Sequence, residues 1–170
     1  MATPAEIIAR ANSYLGRITP ALDEILRLLR LDLPGCIEYA NTQFKLGLPA
    51  IEIWDYAQAR NEVFPAILVS TSLQTEEFGI GHMDVHNVVV FVAYERQENR
   101  YEAQKAADIA DLVRAVMLGY KDRKTDPVGR IVWNDLLPSG ETQIPPEWAQ
   151  WSGWGVHFQM RQTPGQTLWA

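Results

Sequence analysis

Five consecutive apolar residues, Val88-Val89-Val90-Phe91-Val92, lie inside the segment from Asp84 to Glu95. Valine and phenylalanine favour extended backbone, where successive side chains point to opposite faces. The run therefore carries apolar groups on both sides of one strand. Such a strand is stable only where both of its faces are covered. The fold must contain a sheet with material on each side of this segment.

The remaining chain supplies that sheet and its cover. Ala50 to Tyr56 and Phe64 to Thr71 are short runs rich in isoleucine and valine, and they predict strands ahead of the central one. After it, Asn99-Arg100-Tyr101-Glu102 has the spacing of a capping box. Ala106, Ile109, Ala110, Val113, Val116 and Met117 then recur at helical spacing until Gly119 offers a C-cap. Small residues at Ala103, Ala106, Ala107 and Ala110 suit close packing of this helix on the sheet. Gly129 to Leu136 predicts a further strand, Leu137-Pro138-Ser139-Gly140 a type I turn, and Gly153 to Gln162 the last strand.

Ahead of the strands, Thr3-Pro4-Ala5-Glu6 is a second capping box with proline in the first turn. Ile7, Ile8, Ala11, Leu15 and Ile18 share one helical face, and Thr19 caps a following helix with Leu22, Ile25, Leu26 and Leu29 as its stripe. Pro34-Gly35 is expected to close this helical arm at about residue 33, with mostly loop up to Pro49. The expectation is one α+β domain over residues 1–170. It has N-terminal helices and an antiparallel or mixed sheet of about four to five strands, covered on one face by a helix. A short tail over about 163–170 ends the chain.

With 15 basic and 21 acidic residues the formal charge is −6, which disfavours phosphate-backbone binding as the main task. The N-terminus lacks a basic region followed by a continuous apolar run, and no stretch is long and apolar enough to span a bilayer. Neither secretion by that route nor a membrane span is expected. Cys36 is the single cysteine, so no disulfide forms within the chain, and no helix start or cation cluster accompanies it to activate the thiol.

Chemistry is hard to place on this chain. His82 and His86 would share a face on a helix, but in extended chain their rings stand about 13 Å apart, so no metal site is expected from them. His157 falls on the same strand parity as Gly155 and Gln159, opposite Val156 and Phe158, which predicts a solvated or hydrogen-bonded ring. Glu76-Glu77 and the pair Asp108 and Asp111 read as solvated charges. Gly79-Ile80-Gly81 lacks a dinucleotide fingerprint, and no P-loop or nucleophile elbow occurs. No catalytic residue, metal or cofactor is assigned, and the chain is not expected to be an enzyme.

Tryptophan is the informative excess. Trp148, Trp151 and Trp154 lie beside Pro145-Pro146 within or next to Ser139 to Ser152, a stretch that predicts a long loop. Large rings with few rotors suit interface anchoring, and local packing on the same molecule is the competing reading. The candidate interface residues are Trp148, Trp151, Trp154, Trp169, Val89 and Phe91.

The order of these elements carries a resemblance. Phe64-Pro65-Ala66-Ile67-Leu68-Val69 enters the sheet, and His86-Asn87-Val88-Val89-Val90-Phe91-Val92 forms its centre. Glu102-Ala103 to Leu118 covers it, and Gly155-Val156-His157-Phe158-Gln159-Met160 closes it. Over about residues 60–162 this pattern resembles the tail terminator and related minor tail proteins of tailed bacteriophages. The resemblance implies a virion protein of the tail and neck, assembled in the host cytoplasm. It implies a ring, typically a homohexamer, that stops growth of the tail tube. Its partners would be the tail tube protein, a neck or head-completion protein and a sheath protein, with DNA passing through the ring without specific binding. The long N-terminal arm and the Trp-rich insertion depart from shorter members. They leave another neck or head-completion connector as an alternative, and a small metal-dependent hydrolase built on His82 and His86 as one of a different class.

Overall fold

The computed structural model describes residues 3–6, 18–55, 65–77, 83–95, 100–144 and 151–163. Helix α1 spans Ile18–Phe44 and is followed by strands β1 (Glu52–Asp55), β2 (Ala66–Glu77) and β3 (Met83–Glu95). Helix α2 (Arg100–Leu118) comes next, then β4 (Lys124–Thr125), β5 (Ile131–Trp133), β6 (Asp135–Ile144) and β7 (Trp151–Gln162). The expected α+β class is the observed one. A five-stranded sheet runs in the order β1-β2-β3-β7-β6, and β4 with β5 forms a separate two-stranded ribbon. The large sheet is mixed, because β1 pairs parallel with β2 while every other pairing in it is antiparallel.

The Val-rich strand lies at the centre of this sheet, paired with β2 on one side and β7 on the other. Val88, Val90 and Val92 face a core that also takes Ile67 and Val69 from β2, and Val156, Phe158 and Met160 from β7. Both helices contribute to the same cluster, through Ile25, Leu29 and Leu33 of α1 and Ile109, Val113 and Met117 of α2. The helices therefore cover one face of the sheet. Residues of the other parity, Leu68, Val85, Val89 and Ala93, are buried too but lie outside that cluster. Apolar cover on both faces of the central strand is met largely within the chain.

The N-terminal capping box forms as expected: Thr3 N donates to Glu6 Oε2 at 2.7 Å, and Glu6 N donates back to Thr3 Oγ1 at 3.3 Å. These bonds from Thr3, its amide first, hold the Glu6 carboxyl below its ordinary value. The rest of the expected first helix, with Ile7, Ile8, Ala11 and Leu15, lies outside the described residues.

Pro34-Gly35 does not close the helical arm. Helix α1 continues through both residues to Phe44, so the stretch expected to be loop is largely helix. The buried stripe explains why: Leu33, Ile37 and Ala40 extend the spacing begun by Ala21, Ile25 and Leu29. Proline removes one amide donor, and three further buried side chains offset that loss. The helix ends where Lys45 adopts a left-handed φ of 56°. There the Asn41 side chain clamps the returning backbone, donating to Leu48 O at 2.8 Å and accepting from Leu48 N at 2.7 Å.

The expected turn at Leu137-Pro138-Ser139-Gly140 is instead an irregularity within β6. The register shifts between Pro138 and Gly140 against β7, and Gly140 takes a φ of 149°. Proline is tolerated because β6 is an edge strand, where a missing amide donor costs no ladder bond. The expected single strand over Gly129 to Leu136 is divided, since β5 ends at Trp133 and β6 starts at Asp135. Asn134 marks the break, donating from its amide to Arg161 O at 2.8 Å. Nor is Ser139 to Ser152 a long loop. Residues 139–144 belong to β6 and residues 151 and 152 to β7.

Candidate functional site

Glu24 on α1 is a buried acid, its side chain 2% exposed. Such a group is stable only with partners. Arg27 Nε donates to Oε2 at 2.8 Å and Nη2 to Oε1 at 2.7 Å, while Lys124 Nζ lies 3.4 Å from Oε1. The bond to Glu24 is the main cause raising the Arg27 guanidinium above its ordinary value. Beside it, Tyr120 Oη donates to Asp32 Oδ2 at 2.5 Å, and that bond pushes the phenol up. The group joins α1 to the segment after α2 and to the β4-β5 ribbon. Both Glu24 oxygens are committed to cations and Asp32 Oδ2 to the Tyr120 phenol, which makes the group a clamp rather than a free acid.

Asp126 organises the tip of that ribbon. Its Oδ1 accepts from Val128 N at 3.1 Å and Arg130 N at 2.9 Å, and Oδ2 accepts from Arg130 Nε at 2.7 Å. Burial works to raise this carboxyl, but the Arg130 amide and guanidinium and the Val128 amide outweigh it and hold it below the ordinary value of 3.8. A folded-state value below the unfolded one means that the contribution is complete above the unfolded value. It is lost as the pH falls through the folded one. Asp126→Asn should therefore lower stability at neutral pH by roughly 1–3 kcal/mol. Denaturant titrations of both proteins should show the gap narrowing as the pH drops below 3.8. A gap that stays constant into acid would contradict this role.

The second face of the sheet is the surface on which several sequence candidates meet. Ser70, Val89 and His157 are neighbours across β2, β3 and β7, and Asn87 pairs with Ser72 and Gln159 in the next row. His157 is half-buried, as its strand parity predicts. Asn87 Nδ2 lies 3.4 Å from His157 Nδ1, and Thr142 Oγ1 lies 2.9 Å from Nε2. The Asn87 amide meets the Nδ1 side of the ring and the Thr142 hydroxyl the Nε2 side. The polar row thus ties β3, β7 and the edge strand β6 together.

Toward the other end of this face the rows become apolar and smooth. Phe91 is half-buried and lies over Gly155, where an added Cβ would stand 3.2 Å from the ring. Val89, offered by the sequence as an interface residue, is 9% exposed, so its side chain is largely consumed by the chain's own packing. Trp154 belongs to the opposite, helix-covered face and packs partly buried against the core. Trp151 opens β7, while Trp148 and Trp169 lie outside the described residues. Of the six sequence candidates, Phe91 alone is described as a half-buried side chain on the second face.

The chemical candidates are dispersed. His86 and Asp84 are buried on the helix-covered face of β3, near Gln162, whose Nε2 donates to Val132 O at 2.7 Å. His82 lies outside the described residues, and among the described residues no group of three or more His, Cys, Asp or Glu could hold a metal ion. Cys36 is half-buried and packs against the core. No described helix is long and apolar enough to cross a membrane. Sequence reasoning missed Glu24 and Asp126. A signal for the second existed, since Asp-Pro-Val-Gly-Arg has the residues of an Asp-capped turn.

No protein-family model matches the chain, and no curated protein matches it.

Proposed function

We propose that this chain is a structural subunit of a tailed-phage particle, a tail-terminator-like protein that assembles as a ring at the head-proximal end of the tail tube. The observation that carries the reading is the element order over residues 66–162. An antiparallel β2-β3 hairpin is followed in the chain by α2, which packs on β3 and β7, and β7 pairs with β3 in the sheet. This is the order on which the resemblance rests. Two further features support it. One sheet face is given to the helices while the other carries a half-buried surface around Phe91, Asn87 and His157. A net charge of −6 per copy suits a passage that DNA crosses without adhering.

The ring is a homohexamer in this reading, meeting the tube protein on one side and a neck or head-completion protein on the other. Its work is geometric rather than catalytic. By occupying the growing end of the tube, each copy converts an extendable surface into one that only the neck recognises. Tube protein polymerising alone and with this chain provides the test, followed by light scattering and by tube length. Growth should stop early at substoichiometric amounts of the chain. Unchanged elongation kinetics and lengths would count against the reading, whereas a monomer in isolation would be compatible with docking-induced assembly.

A further inference from the structure

We propose that the outer edge of β6 pairs with the same edge of a second copy, antiparallel and centred on Thr142, so that the two large sheets become one. This contact is additional to the proposed ring and does not rest on it. β6 ends the sheet order, so the side turned away from β7 has no strand beside it among the described residues. Leu136 N marks the outward positions, because it donates to Lys121 O at 2.8 Å and not to β7. Backbone groups alternate along an antiparallel strand, and the register slips by one residue between Pro138 and Gly140. Pro138 therefore also looks outward, and beyond the slip Glu141 and Gln143 do. Lys121 and the proline close the first half of this edge. The second half is open, with Ser139 to Gln143 all exposed. Edge strands are usually blocked by lysine, proline or a bulge, and here those devices stop at Gly140. The other edge strand, β1, differs, since Arg30 Nη2 already donates to Ile53 O at 2.6 Å.

A second copy fits this window because the window is self-complementary. With a twofold axis at Thr142, Glu141 of each copy stands opposite Gln143 of the other, and the two outward-looking pairs exchange their backbone bonds. Glu141 then meets a neutral amide. Its carboxylate already holds Arg114 Nη2 at 2.5 Å, so each copy brings an ion pair to the contact and not a bare acid. Centring the axis on Glu141 would instead set two acids face to face and draw the closed half of each edge into the contact. On the second face Thr142 stands opposite its own mate, a favourable cross-strand pair. Thr142 Oγ1 also lies 2.9 Å from His157 Nε2, so the polar row through Asn87 and His157 continues from one copy into the other.

The most direct test places a cysteine on the proposed axis. In a Cys36→Ser background, Thr142→Cys should form a disulfide-linked dimer under mild oxidation. Residues opposite one another at such a position stand about 4.5 Å apart between Cα atoms, inside disulfide range. Ser139→Cys in the same background is also exposed and on the same strand, but it lies roughly 20 Å from its mate in this register. It should crosslink at least roughly tenfold less. Sedimentation of the full chain supplies the second readout. Gln143→Pro removes an outward donor and no bond to β7, so it should weaken the dimer by roughly tenfold or more while the circular dichroism spectrum stays unchanged. Equal crosslinking at positions 139 and 142, a dimer indifferent to Gln143→Pro, or a chain monomeric at every concentration would overturn the proposal. Rings that form on tube ends with no crosslink at position 142 would overturn the pairing and leave the ring reading standing.

Discussion

Gly153→Ala should cost about 3 kcal/mol or more, which for a chain of this length lowers Tm by roughly 6–12 °C. Gly153 of β7 pairs with Ala93 of β3, and a Cβ built on it would stand 1.8 Å from the Val92 carbonyl oxygen and 2.8 Å from the carbonyl carbon. Both obstacles are backbone, so no rotamer change relieves them. The two central strands must separate locally, and the ladder holding the Val-rich strand loses bonds. Gly155→Ala is the control two residues along. The atoms nearest its Cβ would be side-chain carbons of Phe91 and Val89, at 3.2 and 3.3 Å, which can shift by a few tenths of an ångström. Its cost should stay near 1 kcal/mol. Thermal melts of the two variants decide the point, and equal losses would contradict the backbone argument.

Trp133→Ala is expected to be the most damaging truncation in the protein, at about 3–5 kcal/mol. Trp133 is 0% exposed and closes β5 over the sheet. Its Nε1 donates to two carbonyls, Tyr120 O at 3.1 Å and Asp122 O at 3.2 Å, so it anchors the segment leaving α2 as well as filling the core. Truncation creates a cavity and removes a donor from both oxygens. Trp133→Phe keeps much of the volume and should lose about 1–2 kcal/mol, chiefly for the missing donor. Trp154→Ala should lose less than Trp133→Ala, because Trp154 is only partly buried. Denaturant unfolding of the three variants checks the order, and a Trp133→Ala loss below about 1 kcal/mol would show that β5 is peripheral.

What the sequence made readable was the local chemistry. The Val-rich run required a strand with both faces covered, and Val88, Val90 and Val92 on one side with Val89 and Ala93 on the other meet that requirement. The apolar period from Ala106 to Met117 marked α2, and Thr3 with Glu6 marked a cap. Parity placed His157 away from Val156 and Phe158. Each of these depends on residues within a few positions of one another.

Errors arose where punctuation residues were given more weight than packing. Pro34-Gly35 and Leu137-Pro138-Ser139-Gly140 carry turn chemistry, yet one is spanned by a helix and the other by an edge strand. In the first, the buried stripe through Leu33, Ile37 and Ala40 outweighs one lost amide. In the second, β7 supplies a ladder to which Pro138 owes no donor. Strand order was not readable, because the pairing of β7 with β3 joins residues about seventy positions apart. For the same reason the Glu24 clamp was hidden: its second cation, Lys124, is contributed by the far ribbon. The tryptophan reading shows both effects. Trp154 looked available for a partner, and β-pairing instead turns it to the helix-covered face.

Electron microscopy of purified chain mixed with tail tubes tests the proposed assembly function. A ring of uniform diameter should sit on one end of each tube, and tubes so capped should no longer elongate. Tubes with bare ends, or chain scattered along tube walls without a ring, would contradict it.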